Sequence, residues 1–81
     1  MNPTGAAESL MRPALAINER SYGPNHPDVA IDLSNLAMLL QATNRLGAAG
    51  PLYRRALVIF DASLGPDHPN TVIARKHRRR A

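Results

Sequence analysis

Apolar residues recur at helical spacing along most of the chain, most clearly between residues 28 and 43. With successive residues placed about 100° apart, one stripe of this stretch is apolar throughout. The stripe consists of Val29, Leu33, Leu36, Ala37 and Leu40. Pro27 suits the first helical position, and residues 44–47 include the asparagine and glycine that commonly end a helix. We therefore predict a helix over residues 28–43 whose apolar stripe lies in the core.

A second helix is predicted from residue 47 to about residue 63, ended by Gly65 and Pro66. Pro51 falls in or just after its first turn, where a missing backbone N–H is tolerated. The residues predicted to share its inner face are Leu52, Tyr53, Ala56, Ile59 and Phe60.

The chain repeats itself after 42 residues. The segment YGPNHPD at 22–28 returns as LGPDHPN at 64–70, and aligning residues 5–34 with 47–76 gives 14 identities in 30 positions. A helix equivalent to the second one is therefore predicted over residues 5–22. Its inward residues are predicted to be Leu10, Met11, Ala14, Leu15 and Ile17. Pro13 departs from the repeat, so we expect a kink or a helix that begins near Arg12.

No alternation typical of strands is present, so the predicted class is all-α. Helices that recur at a fixed period stack as a solenoid, in which each unit buries its face against its neighbours. We predict one repeat domain over residues 1–81. Residues 5–22 form the second helix of a partial repeat, 28–64 form one complete repeat, and 70–81 form a truncated first helix with a basic tail.

The segment HPDVAIDLSNLAMLLQATNRLGAAGPLYRRALVI and the following GPDHPN loop resemble the long tetratricopeptide repeats of the kinesin light chain type. Those repeats carry a similar NLA segment, a similar LYRRAL segment and the same GPxHP connector, and the resemblance covers residues 5–74. It implies a short right-handed solenoid of antiparallel helix pairs. It also implies a concave surface, lined by first helices, that holds peptide segments of other proteins.

A second stripe of the helix at 28–43 lies about 120° from the core stripe, where the concave surface is expected. It consists of Ile31, Ser34, Met38 and Gln41. Ile31 and Met38 offer apolar contact, while Ser34 and Gln41 can bond a peptide backbone. Asn35 is predicted to point away from this surface and to have a structural role. The alternative is that the stripe packs against a neighbouring repeat or another copy of the chain.

The net charge of +4 is concentrated at the carboxyl end. The basic residues there are Arg75, Lys76, Arg78, Arg79 and Arg80, whereas residues 1–74 carry five arginines and six acids, a net charge of −1. In the repeat, Arg75, Arg78 and Arg79 replace apolar core positions. We therefore expect the array to stop here, with Val72 and Ile73 capping the preceding helix and the basic run continuing as a frayed helical end or a disordered tail.

Such a run attracts polyanions through phosphate charge, which makes a nucleic-acid or polyanion binder the alternative function. No aromatic stacking platform accompanies the run. The chain has no cysteine, and no nucleophile with its base or phosphate-binding loop is evident. His26 and His68 occupy equivalent loops one repeat apart, where a role in helix entry is expected. We predict no enzyme activity, no cofactor, no metal and no membrane segment, and a cytoplasmic location.

Self-association is also expected, because the helix at 5–22 lacks the first helix that would pair with it. The exposed patch is predicted to contain Leu10, Ala14, Leu15 and Ile17. End-to-end stacking or exchange of a terminal helix would cover it. The alternative is that the chain is a fragment, or that it completes its array on a larger partner.

Overall fold

The computed structural model describes residues 3–80, and the side chains of residues 7–78. It contains four helices: α1 (Pro3–Tyr22), α2 (Pro27–Ala42), α3 (Leu46–Leu64) and α4 (Pro69–Arg80). Within residues 3–80 there is no strand. The predicted all-α class is confirmed, and the ends of α2 and α3 lie within a residue of their predicted positions.

Each helix packs against the next one in the sequence, so α1, α2, α3 and α4 follow one another as antiparallel neighbours. The molecule measures 40 × 30 × 18 Å. Since a helix with its side chains is about 10 Å across, the short dimension accommodates two layers of helices. The repeat therefore places α1 and α3 in equivalent positions, and α2 and α4 in equivalent positions.

The core lies mainly between α2 and α3. All five members of the predicted α2 stripe are buried, and Tyr53, Ala56, Ile59 and Phe60 of α3 are buried opposite them. Leu52 is partly buried against the same core. The predicted inner faces of both helices are thus confirmed, with Leu52 at the margin.

The two GPxHP loops fold alike. The backbone N–H of Asp28 donates to Nδ1 of His26, and the backbone N–H of Asn70 donates to Nδ1 of His68, each at 3.1 Å. Each histidine thus bonds the amide two residues ahead, at the first turn of the following helix, which confirms their predicted role in helix entry. Gly23 and Gly65 precede these turns with φ values of 88° and 91°, a region that side chains disfavour.

The prediction for α1 needs two corrections. Because α1 is helical from Pro3 to Tyr22 with Pro13 inside it, the proposed start near Arg12 is wrong. Leu15 packs against the core between α2 and α3 and does not belong to an exposed patch, because its position on the helix turns it toward α2. Leu10, Ala14 and Ile17 were predicted both as inward and as part of the patch; all three are exposed, Leu10 by 75% and Ile17 by 54%, so the inward prediction is wrong for them.

The prediction for the carboxyl end also needs correction. Residues 75–80 belong to α4, so of the two alternatives predicted for the basic run, a helical end or a disordered tail, the tail is wrong. Among the described side chains of α4, those of Thr71 and Ala74 are buried, whereas Ile73, predicted to cap α3, is 51% exposed. Small side chains at positions 71 and 74 allow α4 to pack on α3 even though arginines occupy other positions of the repeat stripe.

Candidate functional site

A groove runs between α2 and α4, and Phe60 of α3 contributes to its lining. Its volume is about 150 Å³. The residues that line it are Ile31, Ser34, Asn35 and Met38 from α2, Phe60 from α3, and Asn70, Ile73, Ala74 and His77 from α4. Because α2 and α4 are repeat-equivalent helices, the groove lies on the side of the molecule formed by the first helices of successive pairs.

The groove contains three of the four residues predicted for this surface. Ile31 and Met38 are 40% and 42% exposed, so their apolar side chains are accessible to a ligand. The hydroxyl oxygen of Ser34 is shielded from solvent and has no hydrogen-bond partner among the described residues.

Gln41 does not line the groove. Its Oε1 accepts a hydrogen bond of 3.0 Å from the hydroxyl of Tyr53, which is itself fully buried. Burial raises the pKa of the Tyr53 phenol above its ordinary value, so the hydroxyl keeps its proton and remains a donor. Gln41 therefore holds the hydroxyl end of Tyr53, and its Oε1 is engaged within the chain.

One residue of the groove was misjudged from the sequence, and another was missed. Asn35, predicted to point away, lines the groove, and so does its repeat equivalent His77. The His77 ring stacks on Tyr53 with centroids 5.3 Å apart and ring planes 9° apart. Ile73 is the repeat equivalent of Ile31, so continuing the predicted stripe into the next repeat would have found Ile73, but not His77.

The basic residues of α4 whose side chains are described do not line the groove. Arg75 donates to the backbone carbonyl of Pro66 at 3.1 Å, while Lys76 and Arg78 are exposed. The side chains of Arg79 and Arg80 lie outside the described ones. The predicted polyanion residues are thus carried on one helix, of which the described charged side chains are all basic.

Other kinds of site find no support within residues 3–80. No three histidine, cysteine, aspartate or glutamate side chains are grouped there so that they could hold a metal ion. His26 stacks on Tyr22, with ring centroids 4.6 Å apart. None of the described helices combines the length and the apolar character that crossing a membrane requires.

The groove and the repeated helix pairs can be compared with known proteins. The family model described as "Tetratricopeptide repeat" matches residues 5–57, which is more than half of the chain. The chain belongs to the tetratricopeptide repeat family. Tetratricopeptide repeats generally mediate interactions between proteins, and the family is generally not catalytic. A comparison with curated proteins gives no match.

The family match also fits the geometry of the pair α2 and α3. The matched residues 5–57 include all of α2, the loop that follows it and the first part of α3. The match therefore spans most of α1, the whole of α2 and the first part of α3. The part of α4 that completes the groove lies beyond the matched residues.

Proposed function

We propose that this tetratricopeptide repeat protein is a non-catalytic interaction module that binds a segment of another protein, or of another copy of itself, through its helical surfaces. The observation that supports binding of a protein segment is the α2–α4 groove, whose rim exposes Ile31, Met38 and Ile73 together. Exposed apolar side chains gathered in a concavity are typical of binding surfaces. The 42-residue period and the GPxHP connectors further favour the long-repeat type of the kinesin light chain.

The size of the groove favours a side chain as its occupant. Pockets for cofactors and drug-sized ligands usually hold about 300 to 1,000 Å³. The groove has about 150 Å³, and an apolar cavity of about that volume accommodates a benzene-sized group. One aliphatic or aromatic side chain of a peptide would fill the groove, while the peptide backbone would lie along its open side.

The experiment is a selection of peptides from a random displayed library on the wild-type chain, followed by measurement of their affinity for two variants. Met38→Glu places a charge in the groove, and we expect it to weaken binding by at least tenfold because burying an unpaired carboxylate is costly. Val58→Glu is the matched control, since Val58 is an exposed apolar residue of α3 that does not line the groove.

Either of two results would refute the groove as the binding site. One is that selected peptides bind wild type and Met38→Glu equally well. The other is that the library yields no peptide that binds the wild type.

The second candidate function is polyanion binding by the basic face of α4, favoured by the exposed Lys76 and Arg78 and by the absence of described acidic side chains on that helix. Deleting residues 75–81 would not test it cleanly, because the deletion also removes His77 from the groove. Neutralising Lys76 and Arg78 with glutamine should abolish salt-sensitive binding of a short single-stranded oligonucleotide and leave peptide binding intact. Unchanged oligonucleotide binding by this double variant would rule out Lys76 and Arg78 as the residues that bind the polyanion.

A further inference from the structure

His77 is the last residue of α4 that lines the α2–α4 groove. On α4 the lining runs from Asn70 in the first turn to His77, which lies about 10 Å farther along the helix at 1.5 Å per residue. Tyr53 does not line the groove, yet its ring lies nearly parallel to that of His77, with centroids 5.3 Å apart. The imidazole therefore lies where the groove meets the buried ring of Tyr53.

Tyr53 holds the ring of His77 in place. Tyr53 is fully buried, and its hydroxyl donates a hydrogen bond of 3.0 Å to Oε1 of Gln41. The two ring planes are 9° apart, and at this centroid distance they have the offset arrangement that aromatic pairs favour. Because Tyr53 is itself fixed, the stack restricts the rotamers of His77. The groove thus ends at a wall of defined position.

The first repeat shows that this aromatic wall is not needed for the helices to pack. Four positions at or beneath the groove differ from their equivalents one repeat earlier. They are Tyr53, Phe60, Ala74 and His77, where the first repeat has Met11, Asn18, Asp32 and Asn35. With that earlier set α1 still packs on α2, and the Asn18 amide donates a hydrogen bond to the Asp32 carboxylate. The apolar floor and the stacked end are therefore particular to this groove.

The charge of the groove selects the kind of side chain that can enter it. The described residues that line it include no aspartate, glutamate, lysine or arginine. Phe60 and Ala74, which form its floor, are each 2% exposed. A charged side chain of a partner would lose its hydration there without gaining a counter-charge. The matching occupant is an uncharged, apolar side chain.

The volume of the groove limits the size of that side chain. The groove has about 150 Å³, and an apolar cavity of about that volume holds one benzene molecule. A phenyl group or a branched aliphatic chain fits this space, whereas the two fused rings of tryptophan exceed it. Removing the ring of His77 would extend the groove to the face of Tyr53.

We propose that His77 sets the size limit of the groove, so that the partner is anchored by leucine, isoleucine, methionine or phenylalanine and a tryptophan anchor is excluded. The inference rests on the proposed function, since it names the class of partner side chain that the same groove accepts. His77 acts here through the position of its ring, which Tyr53 supports from behind.

The first experiment tests the position of the His77 ring without any ligand. The chain has two tyrosines and no tryptophan, so Tyr22→Phe leaves Tyr53 as the one fluorescent tyrosine. In that background, His77→Ala should raise acrylamide quenching of Tyr53 from almost none toward that of an exposed tyrosine. His77→Phe is the matched control, because it keeps a planar ring and should leave quenching unchanged. Equal quenching with histidine and with alanine at position 77 would overturn the inference.

The second experiment compares two forms of a peptide selected on the wild type, with phenylalanine or tryptophan as the anchor. Tryptophan should weaken binding to the wild type by roughly tenfold or more, because overfilling a packed space is costly. His77→Ala should bind both forms about equally, and His77→Phe should keep the wild-type preference. A tryptophan form that binds the wild type as tightly as the phenylalanine form would overturn the size limit.

The comparison on the wild type needs no variant, so it decides the size limit even if His77→Ala is poorly folded. Alanine has a higher helix propensity than histidine, so α4 should persist in that variant, and circular dichroism checks this. If selected peptides depend on Met38 but accept tryptophan in the wild type, only the size limit fails. If no peptide binds the wild type, the groove function fails and the size limit falls with it.

Discussion

Thr71 offers a test of how α4 is held against the core. Its side chain is fully buried, and its hydroxyl oxygen has no hydrogen-bond partner among the described residues. The repeat-equivalent residue of α2 is Val29, which is also fully buried. Thr71→Val therefore replaces a hydroxyl by a methyl group at a position where the protein already buries valine in the equivalent helix.

The expected gain in stability follows from the hydroxyl alone. Burying a polar group without a partner costs about 1 to 3 kcal/mol. Threonine and valine have similar helix propensity and similar stiffness at χ1, so these terms nearly cancel. We expect Thr71→Val to raise the free energy of unfolding by at least about 1 kcal/mol, which corresponds to a rise in Tm of roughly 4 to 8 °C for a domain of this size.

The assay is urea and thermal unfolding followed by far-ultraviolet circular dichroism, with Thr43→Val as the matched control. The Thr43 hydroxyl donates to the carbonyls of Leu39 and Leu40 at 3.1 and 3.0 Å. The same substitution there removes a hydrogen bond worth about 0.5 to 1.5 kcal/mol and should lower stability. If Thr71→Val is neutral or destabilising while Thr43→Val behaves as expected, the account of an unpaired Thr71 hydroxyl is refuted.

Three further predictions concern the loops and α1. Gly65→Ala should destabilise the fold by about 1 to 3 kcal/mol in urea unfolding, because Gly65 has φ 91° and ψ 160°, a region essentially confined to glycine. No neighbour lies within 4 Å of the added Cβ, so backbone strain is the only expected cause, and an unchanged urea midpoint would contradict it. Pro13→Ala should stabilise the chain by about 1 to 2 kcal/mol, since proline costs about 3 kcal/mol inside a helix and part of that is offset in the unfolded chain; a lower Tm would show that Pro13 has a packing role. The hydrogen bond from Arg45, with a smaller contribution from Arg12, lowers the pKa of Glu8. The stability that Glu8 contributes is therefore present above the pKa of an unfolded glutamate, roughly 4.3, and is lost as the pH falls through the lower folded value. Glu8→Gln should make the urea midpoint depend less on pH in this acidic window, and an identical pH profile for the variant would be the contrary result.

The sequence predicted α2 and α3 closely because several local signals agree there. The apolar stripe has helical spacing, Pro27 marks the start of α2, and Gly65 marks the end of α3. Repetition then predicted α1 despite Pro13. These features depend on neighbours along the chain, so periodicity and capping residues are sufficient to find them.

The groove was predicted only on its α2 side. The arginines of α4 suggested that the array ends before a second wall could form, although Thr71 and Ala74 are small enough to seat the helix. Gln41 was placed in the groove by its angle on the helix, but a hydrogen bond from Tyr53 commits its side chain elsewhere. Such contacts depend on residues distant in the sequence, and a helical wheel does not contain them.

The measurement that tests the central claim most directly is amide NMR of the labelled chain during titration with a selected peptide. Binding in the groove predicts that the largest shift changes lie on both walls, at Ile31 and Met38 of α2 and at Ile73 and His77 of α4. It also predicts that Val58 on the outer side of α3 is little affected. Shift changes confined to α1, or to the exposed side of α3, would contradict the claim that this chain binds its partner between α2 and α4.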